Sequence, residues 1–250
     1  MIFYFSGTGN SKHIADKISN STGERLVYIS ESTIEKNETY DIGENESIGF
    51  VFPVYWYCMP TIVEKFIVQL KLSGYHKQYV YAIVTYGIDA GNVMGRLSRT
   101  LIKKQIQLNG TFGVRMVDNY VIGYNIVNAD KQRTILNNAE VEIDKIMSMI
   151  MRRENIEYIK RGKKAFLTPI TGYAYRRTKH TKKFFATQKC NSCKQCEKSC
   201  PCNAIHMAGG KPMWEGECTF CLKCMNECKQ SAIQYGRFTE KRDRYHYKGQ

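Results

Sequence analysis

Along the first 150 residues, short apolar runs alternate with stretches in which apolar residues recur every three to four positions. Met1 to Phe5 is apolar and is closed by Ser6-Gly7-Thr8-Gly9-Asn10-Ser11, after which Ile14, Ala15 and Ile18 recur at helical spacing. This pattern predicts strand, turn, helix. Further runs suited to buried strands are Leu26 to Ile29, Ile48 to Phe52, Tyr79 to Thr85 and Thr111 to Val117. Helical patterns occupy 60–70 and 91–107, and a long amphipathic stretch runs over 131–153. Strands alternating with helices of this length predict an α/β domain over 1–153, a doubly wound parallel sheet of five strands covered on both faces. The stretch Ser30 to Asn45 is too polar and irregular to assign.

Ligands of open parallel sheets gather outside the carboxyl ends of the strands, so the loops after the runs at 1, 48 and 79 are where chemistry should collect. The first, Ser6 to Ser11, offers hydroxyl and amide side chains and glycine-supported backbone N–H groups at a helix start. That geometry holds a phosphate without lysine or arginine. It lacks the lysine of a P-loop and the third glycine of a dinucleotide fingerprint. The second loop, Pro53-Val54-Tyr55-Trp56-Tyr57, carries three consecutive aromatics, and the third, Thr85-Tyr86-Gly87, sets another beside a glycine. A phosphate cradle between aromatic walls suits a flat, phosphorylated, aromatic ligand, which suggests FMN. Plainer readings stand beside this one. Ser, Thr and Asn are favoured helix caps, the aromatics suit an interface, and Cys58 suits a small buried hydrophobe.

Nine of the ten cysteines lie between Cys190 and Cys228. Cys190, Cys193, Cys196 and Cys200 recur 28 residues later as Cys218, Cys221, Cys224 and Cys228, and Ala204-Ile205 recurs as Ala232-Ile233. This is an internal duplication. Each copy reads C-x2-C-x2-C-x3-C, the first followed by Pro201. Three thiolates on a tight loop can reach three irons of a [4Fe-4S] cube, while a fourth on the next helical turn is directed at a partner cube. Structural zinc is the competing reading, although zinc pairs two C-x2-C knuckles and has no use for a third evenly spaced thiol. Cys202 is either a bystander or a replacement for Cys200.

Composition narrows the setting. With 43% apolar and 24% charged residues the chain has ordinary globular composition. The longest uncharged stretch, Ser47 to Val63, contains Pro53 and Pro60 and is marginal for a bilayer. No secretory signal is readable, so a cytoplasmic, reducing location is expected, where clustered cysteines bind metal rather than pair. The net charge of +14 is uneven: residues 1–151 carry 15 basic and 15 acidic groups, whereas 152–189 carry 12 and 2. In that connector Arg152, Arg153, Lys160, Arg161, Lys163, Lys164, Arg176, Arg177, Lys179, Lys182 and Lys183 are interleaved with Phe166, Tyr173, Tyr175, Phe184 and Phe185. It reads either as a docking surface for an acidic protein or as a packed linker sealing an interface. Basic residues among aromatics also bind nucleic acid, but no nucleic-acid motif is present.

The sequence Tyr4 to Ser11 resembles the phosphate-loop signature of flavodoxins, and Phe52-Pro53-Val54-Tyr55-Trp56 with Thr85-Tyr86-Gly87 resembles the loops that contact the isoalloxazine ring in flavodoxin-like proteins. The eight-cysteine pattern resembles bacterial two-cluster ferredoxins over 186–236, with Lys229 where a second proline is usual. Together they resemble the flavodoxin-ferredoxin fusion family. The organisation implied is a flavodoxin-like FMN domain over 1–153, a basic connector over 154–185, a small α+β ferredoxin domain over 186–236 and a basic tail over 237–250. By that resemblance Ser6, Thr8, Gly9, Asn10 and Ser11, with Gly7 between them, bind the phosphate, and Pro53, Val54, Tyr55, Trp56, Tyr57, Thr85, Tyr86 and Gly87 bracket the ring. One [4Fe-4S] cluster then takes Cys190, Cys193, Cys196 and Cys228, and the other Cys218, Cys221, Cys224 and Cys200. The function implied is electron transfer between two clusters and FMN, in exchange with a redox partner such as an acidic ferredoxin or a reductase. The alternative is a ferredoxin-linked FMN reductase acting on a quinone, nitro compound or free flavin, with Asn119 and Tyr120 facing the substrate. No catalytic acid or base is assigned: His13 falls within the first helix and Asp89 reads as a loop cap.

Overall fold

A computed structural model describes residues 1–159, 162–178 and 180–249, so Lys160, Arg161 and Lys179 of the connector lie outside the described residues. The first part of the chain runs β1 (Ile2–Tyr4), α1 (Asn10–Thr22), β2 (Leu26–Tyr28), α2 (Glu31–Lys36), β3 (Thr39–Asp41), β4 (Ile48–Pro53), α3 (Thr61–Gln69), β5 (Lys71–Ser73), β6 (Val80–Tyr86), α4 (Val93–Ile102), β7 (Gly110–Arg115), α5 (Ala129–Met151) and β8 (Ile156–Tyr158). Six strands form one parallel sheet in the order β2-β1-β4-β6-β7-β8. Its first five members follow the flavodoxin-like 2-1-3-4-5 order, with the switch point between β1 and β4.

The expected five strands become six. Ile156, Glu157 and Tyr158 pair with Gly110, Thr111 and Phe112. A three-residue strand with a charge at its centre, on an edge, has neither the length nor the apolar run by which the others are read. The unassigned polar stretch holds α2 and β3, and β3 joins β5 in a separate two-stranded parallel sheet.

Side-chain alternation along the central strands explains why both faces are covered. Phe3, Phe50, Phe52, Ala82 and Val84 point to one core with Val63, Phe66, Leu97 and Leu101 of α3 and α4. Ile2, Val51, Tyr81 and Ile83 point to the other with Ile14, Ile18, Ile143, Ile146 and Ile150 of α1 and α5.

After a single helical turn at Ala165–Leu167 come α6 (Thr168–Arg177), β9 (Phe184–Ala186), α7 (Gln195–Lys198), β10 (Ile205–Ala208), β11 (Lys211–Trp214), α8 (Lys223–Asn226) and β12 (Ile233–Tyr235). β10 pairs antiparallel with β11, and β12 with β9, making a small α+β unit. The duplication is carried by the backbone. Left-handed residues recur at the same offset of 28, as Ser192 and Phe220, Lys194 and Leu222, and Asn203 and Ser231. No described helix is long and apolar enough to cross a membrane.

Candidate functional site

The loop after β1 is built by short-range geometry. Gly9 takes φ +99°, a left-handed conformation natural to glycine, and its N–H donates to Ser6 Oγ at 3.0 Å. No side chain caps α1 at Gly9, which leaves first-turn N–H groups to whatever the loop binds. The polar side chains of the loop are tied to its neighbours. Asn119 Nδ2 donates to Thr8 Oγ1 at 3.0 Å, Asn10 Nδ2 donates to Val117 O at 2.9 Å, and Ser11 Oγ shares a hydrogen bond with Thr85 Oγ1 at 2.8 Å. The loops after β1, β6 and β7 are thus bonded into one frame.

The loop after β4 is a two-residue turn. Tyr55 N donates to Cys58 O at 3.0 Å and Cys58 N to Tyr55 O at 2.8 Å, with Trp56 at φ +50° and Tyr57 at φ +61° between them. Two positive φ angles define a type I′ turn, which favours Asn-Gly. Bulky aromatics there are strained by about 1–3 kcal/mol each, and such strain collects at functional sites. The connector holds the turn in place: Thr171 Oγ1 donates to Trp56 O at 3.0 Å, and Trp56 stacks on Tyr175 with centroids 6.1 Å apart. Cys58 is buried and its thiol donates to Thr168 O, as a small packed residue would.

Ser6, Gly7, Thr8, Asn10, Ser11, Pro53, Val54, Tyr55, Trp56, Tyr57, Thr85, Tyr86 and Gly87 line one cavity of about 370 Å³. Of the sequence-expected set only Gly9 stands outside it, holding the turn from behind. Asn119 and Tyr120 join the lining. So do Ile88, Asp89, Met116, Val117, Asp118, Tyr124, Thr171 and Phe220, which sequence reasoning did not assign to this site. Tyr124 Oη donates to Asp118 Oδ2 and Tyr120 N to Asp118 Oδ1. Burial, and then the Asp118 carboxylate, push the Tyr124 hydroxyl well up, so it stays a donor. A helix start on one side, hydroxyls around it and seven aromatic rings beyond form a donor and wall set that fits FMN. His13 is not in the lining. It bonds Glu140 at 2.6 Å and packs at a tilt against Tyr247.

The cysteines surround two further cavities. Cys190, Cys193, Cys196 and Cys228 line one together with Cys224, and Cys200, Cys218, Cys221 and Cys224 line the other together with Cys202. The fourth cysteine of each motif therefore sits with the first three of the other copy. Among the described residues no three His, Cys, Asp or Glu side chains converge on a single metal ion. In each copy two left-handed residues alternate with residues of negative φ, at 192 and 194 and at 220 and 222. Such a backbone turns its N–H groups into a concave nest for an anion, and iron–sulfur sites use it. Ala204 N donates to Cys200 Sγ and Ala232 N to Cys228 Sγ, both at 3.4 Å, and Phe220 N to Cys218 Sγ at 3.3 Å. Burial pushes the Cys218 thiol up to about 12 and raises Cys221 and Cys224 as well. Thiols in such a place ionise only against strong positive charge, such as a bound metal would supply. Four thiols and a neighbouring nest in each set are the donors that a [4Fe-4S] cluster would need, and Cys202 lines the second cavity beside Cys200.

The two halves meet at the second cysteine loop. Asn119 Nδ2 donates to Cys221 O at 3.4 Å, and a Cβ on Gly7 would stand 2.8 Å from that same oxygen. Tyr175 Oη donates to Thr219 O at 2.6 Å, and Phe220 stacks on buried His180 at 4.3 Å while also lining the aromatic cavity. The tail closes the far side. Tyr247 N donates to Thr8 O at 2.8 Å, Tyr245 Oη to Asn10 Oδ1 at 2.7 Å and Arg242 Nη1 to Val121 O at 2.5 Å.

The chain matches no protein-family profile and no curated protein sequence. Solved structures similar to parts of it include an azoreductase from Bacillus anthracis, at 10% identity over 58% of this chain and 97% of that one, with a TM-score of 0.37. Another is the Trp repressor binding protein from Bacillus subtilis, at 16% identity over 46% of this chain and 84% of that one, with a TM-score of 0.33. A third, provisionally described as a flavoprotein from Bacteroides uniformis, shows 17% identity over 46% of this chain and 88% of that one, with a TM-score of 0.36.

Proposed function

We propose that this chain is an electron-transfer protein that holds one FMN and two [4Fe-4S] clusters and couples one-electron carriers to a flavin. When bound, the clusters supply one-electron steps and the flavin one- or two-electron steps. The observation that carries the reading is Phe220. It lies between Cys218 and Cys221 in the second cysteine loop and is also a wall of the aromatic cavity, so the two sites adjoin at that loop. Ser6, Gly7, Thr8, Asn10 and Ser11 serve the phosphate end, with Gly9 setting the turn, and the loops at 53–57 and 85–87 serve the ring. One cluster takes Cys190, Cys193, Cys196 and Cys228, the other Cys200, Cys218, Cys221 and Cys224. The flavin-binding domain extends through β8 to residue 158, and the connector and tail clamp it to the cysteine unit.

Most of the work assigned to the chain is positioning. Thr171 and Tyr175 fix the strained aromatic turn, Asn119 ties the phosphate loop to the second cysteine loop, and the packed rings between them keep water out. The test is anaerobic purification with iron, sulfide, zinc and flavin measured per chain. About eight irons, about eight sulfides and about one FMN are expected; zinc without sulfide, or clusters without flavin, refutes the reading. A second reading is reduction of a small acceptor at the same cavity, supported by the Asp118–Tyr124 pair and Tyr120 in its wall. Rapid turnover of a quinone or nitro compound by the prereduced protein, lost in Tyr124→Phe with FMN retained, favours it.

A further inference from the structure

Helix α6 has an inner and an outer face. Thr168, Gly172 and Tyr175 are buried, whereas Phe166, just before the helix, is 72% exposed, Ile170 70% and Tyr173 61%. With Arg177, whose guanidinium lies over the Tyr173 ring at 5.2 Å, these outer residues follow i, i+4, i+7, i+11 spacing and form one straight stripe. Apolar residues exposed singly are ordinary. Two large ones on a short helix, with Phe166 in the turn that leads into it, form a patch.

The patch adjoins the cavity mouth. Thr171 of the same helix lines the cavity, as does Ile88, which is itself 68% exposed. Lys164 N donates to the carboxylate of Asp89, next to Ile88, and so brings the start of the stripe to that loop.

The chain segment that carries it is charged with one sign, the nearest carboxylates being Asp89, bonded by Lys164 N, and Glu64 of α3. No Asp or Glu occurs from Tyr158 to Cys196. Lys163, Lys164, Arg177, Lys182 and Lys183 are exposed, and among the described residues none of them forms an ion pair. Among the described cations of that stretch only Arg176 is neutralised, by Glu64 of α3 at 3.1 Å. An apolar centre within a charged rim is the anatomy of a protein interface, and a basic rim calls for an acidic partner.

We propose that the outer face of α6 and its flanking lysines dock an acidic electron-carrier protein over the mouth of the aromatic cavity. The choice of face stands on the stripe and its charge, while the choice of an electron carrier rests on the function proposed above. A lipid surface would offer the same sign of charge but would cover the mouth and bring no redox centre to it.

The test titrates the full-length protein with an acidic plant-type ferredoxin by calorimetry. Binding is expected to weaken about tenfold or more between about 0.05 and 0.3 M salt. Phe166→Ser with Ile170→Ser, and separately Lys163→Glu with Lys164→Glu, are each expected to weaken it about tenfold. Val68→Ser, exposed on α3, is expected to leave it unchanged. All of these positions are exposed, and thermal melts of each variant check the fold. The proposal is overturned if the patch variants bind like the parent, or if the parent does not bind ferredoxin. It is equally overturned if the patch instead governs binding to phosphatidylglycerol vesicles. Iron and flavin contents on the same samples separate the two claims: a parent without flavin sinks the functional reading, and a loaded parent that ignores ferredoxin sinks the docking face alone.

Discussion

Replacing Gly7 by alanine tests the join between the two halves. Gly7 has an ordinary backbone conformation, so the substitution introduces no φ strain and its cost comes from contacts alone. The new Cβ would stand 2.7 Å from Tyr55 Oη, 2.8 Å from Cys221 O and 3.3 Å from Cys221 Cβ. Neither oxygen can step aside cheaply. Tyr55 is wedged edge-on against Phe5, and Cys221 O is main chain that Asn119 holds. Overpacking of this kind costs about 1–3 kcal/mol, and in a chain of this size each kcal/mol lowers Tm by about 2–4 °C. The strain is relieved only by parting residues 218–224 from residues 6–11, so flavin is expected to leave more easily as well. Melts followed by near-UV circular dichroism, with flavin retained after gel filtration as the second readout, measure both effects. Gly43→Ala is the control, because its Cβ meets nothing nearer than 3.7 Å. A Gly7→Ala protein that melts and retains flavin like the parent would refute the contact between the phosphate loop and the second cysteine loop, and with it the case for adjacent cofactors.

Replacing Trp56-Tyr57 by Asn-Gly gives the turn its preferred residues, so stability should hold or rise by about 1 kcal/mol while FMN affinity falls about tenfold; melts and fluorescence titration read the two separately. Truncation after Glu240 removes the bonds of Arg242, Tyr245 and Tyr247 to the flavin-side loops, and limited proteolysis should then cut near residues 6–11 unless FMN is in excess. Glu140 is partly buried, which works against its charge, but hydrogen bonds from Lys17 and His13 outweigh this and hold its carboxyl below the usual range. Its contribution is therefore fully present above about pH 4.3, where an unfolded glutamate ionises, and is lost as pH falls through the lowered value. Glu140→Gln should cost about 1 kcal/mol near neutrality and nothing in acid, as urea melts across pH 3–7 can check.

The sheet was legible because its central strands are buried on both faces. Ile48–Pro53 and Val80–Tyr86 are near-continuous apolar runs, and a parallel sheet under two helical layers allows little else there. Edge elements lack that constraint. Tyr158 and Ile156 reach the sheet through three backbone pairings with β7, and Thr39–Asp41 pairs only with Lys71–Ser73. The tail is similar. Its +3 charge marks it only as a basic tail, but Tyr245 and Tyr247 are buried against residues more than 200 positions away, and nothing local in Arg244-Tyr245-His246-Tyr247 announces that contact.

Phe220 carries a signal that the shared positions of the repeat do not. The duplication was read from what its copies share, the cysteines and Ala-Ile, and these fix ligand spacing but not which copy faces the rest of the chain. That information lies in the positions where the copies differ. Asn191, Ser192 and Lys194 of the first copy are exposed, while their counterparts Thr219, Phe220 and Leu222 are buried. Ser192 and Phe220 share the same left-handed backbone, at φ 58° and 57°, so the fold of the loop did not require a phenylalanine. A large apolar residue at a left-handed position has no local reason to be there. Its reason is the aromatic cavity and His180 that it packs against. The polar-to-apolar change between repeats therefore identifies the second cysteine loop as the inward one and leaves the first, with Cys193 exposed, on the outside.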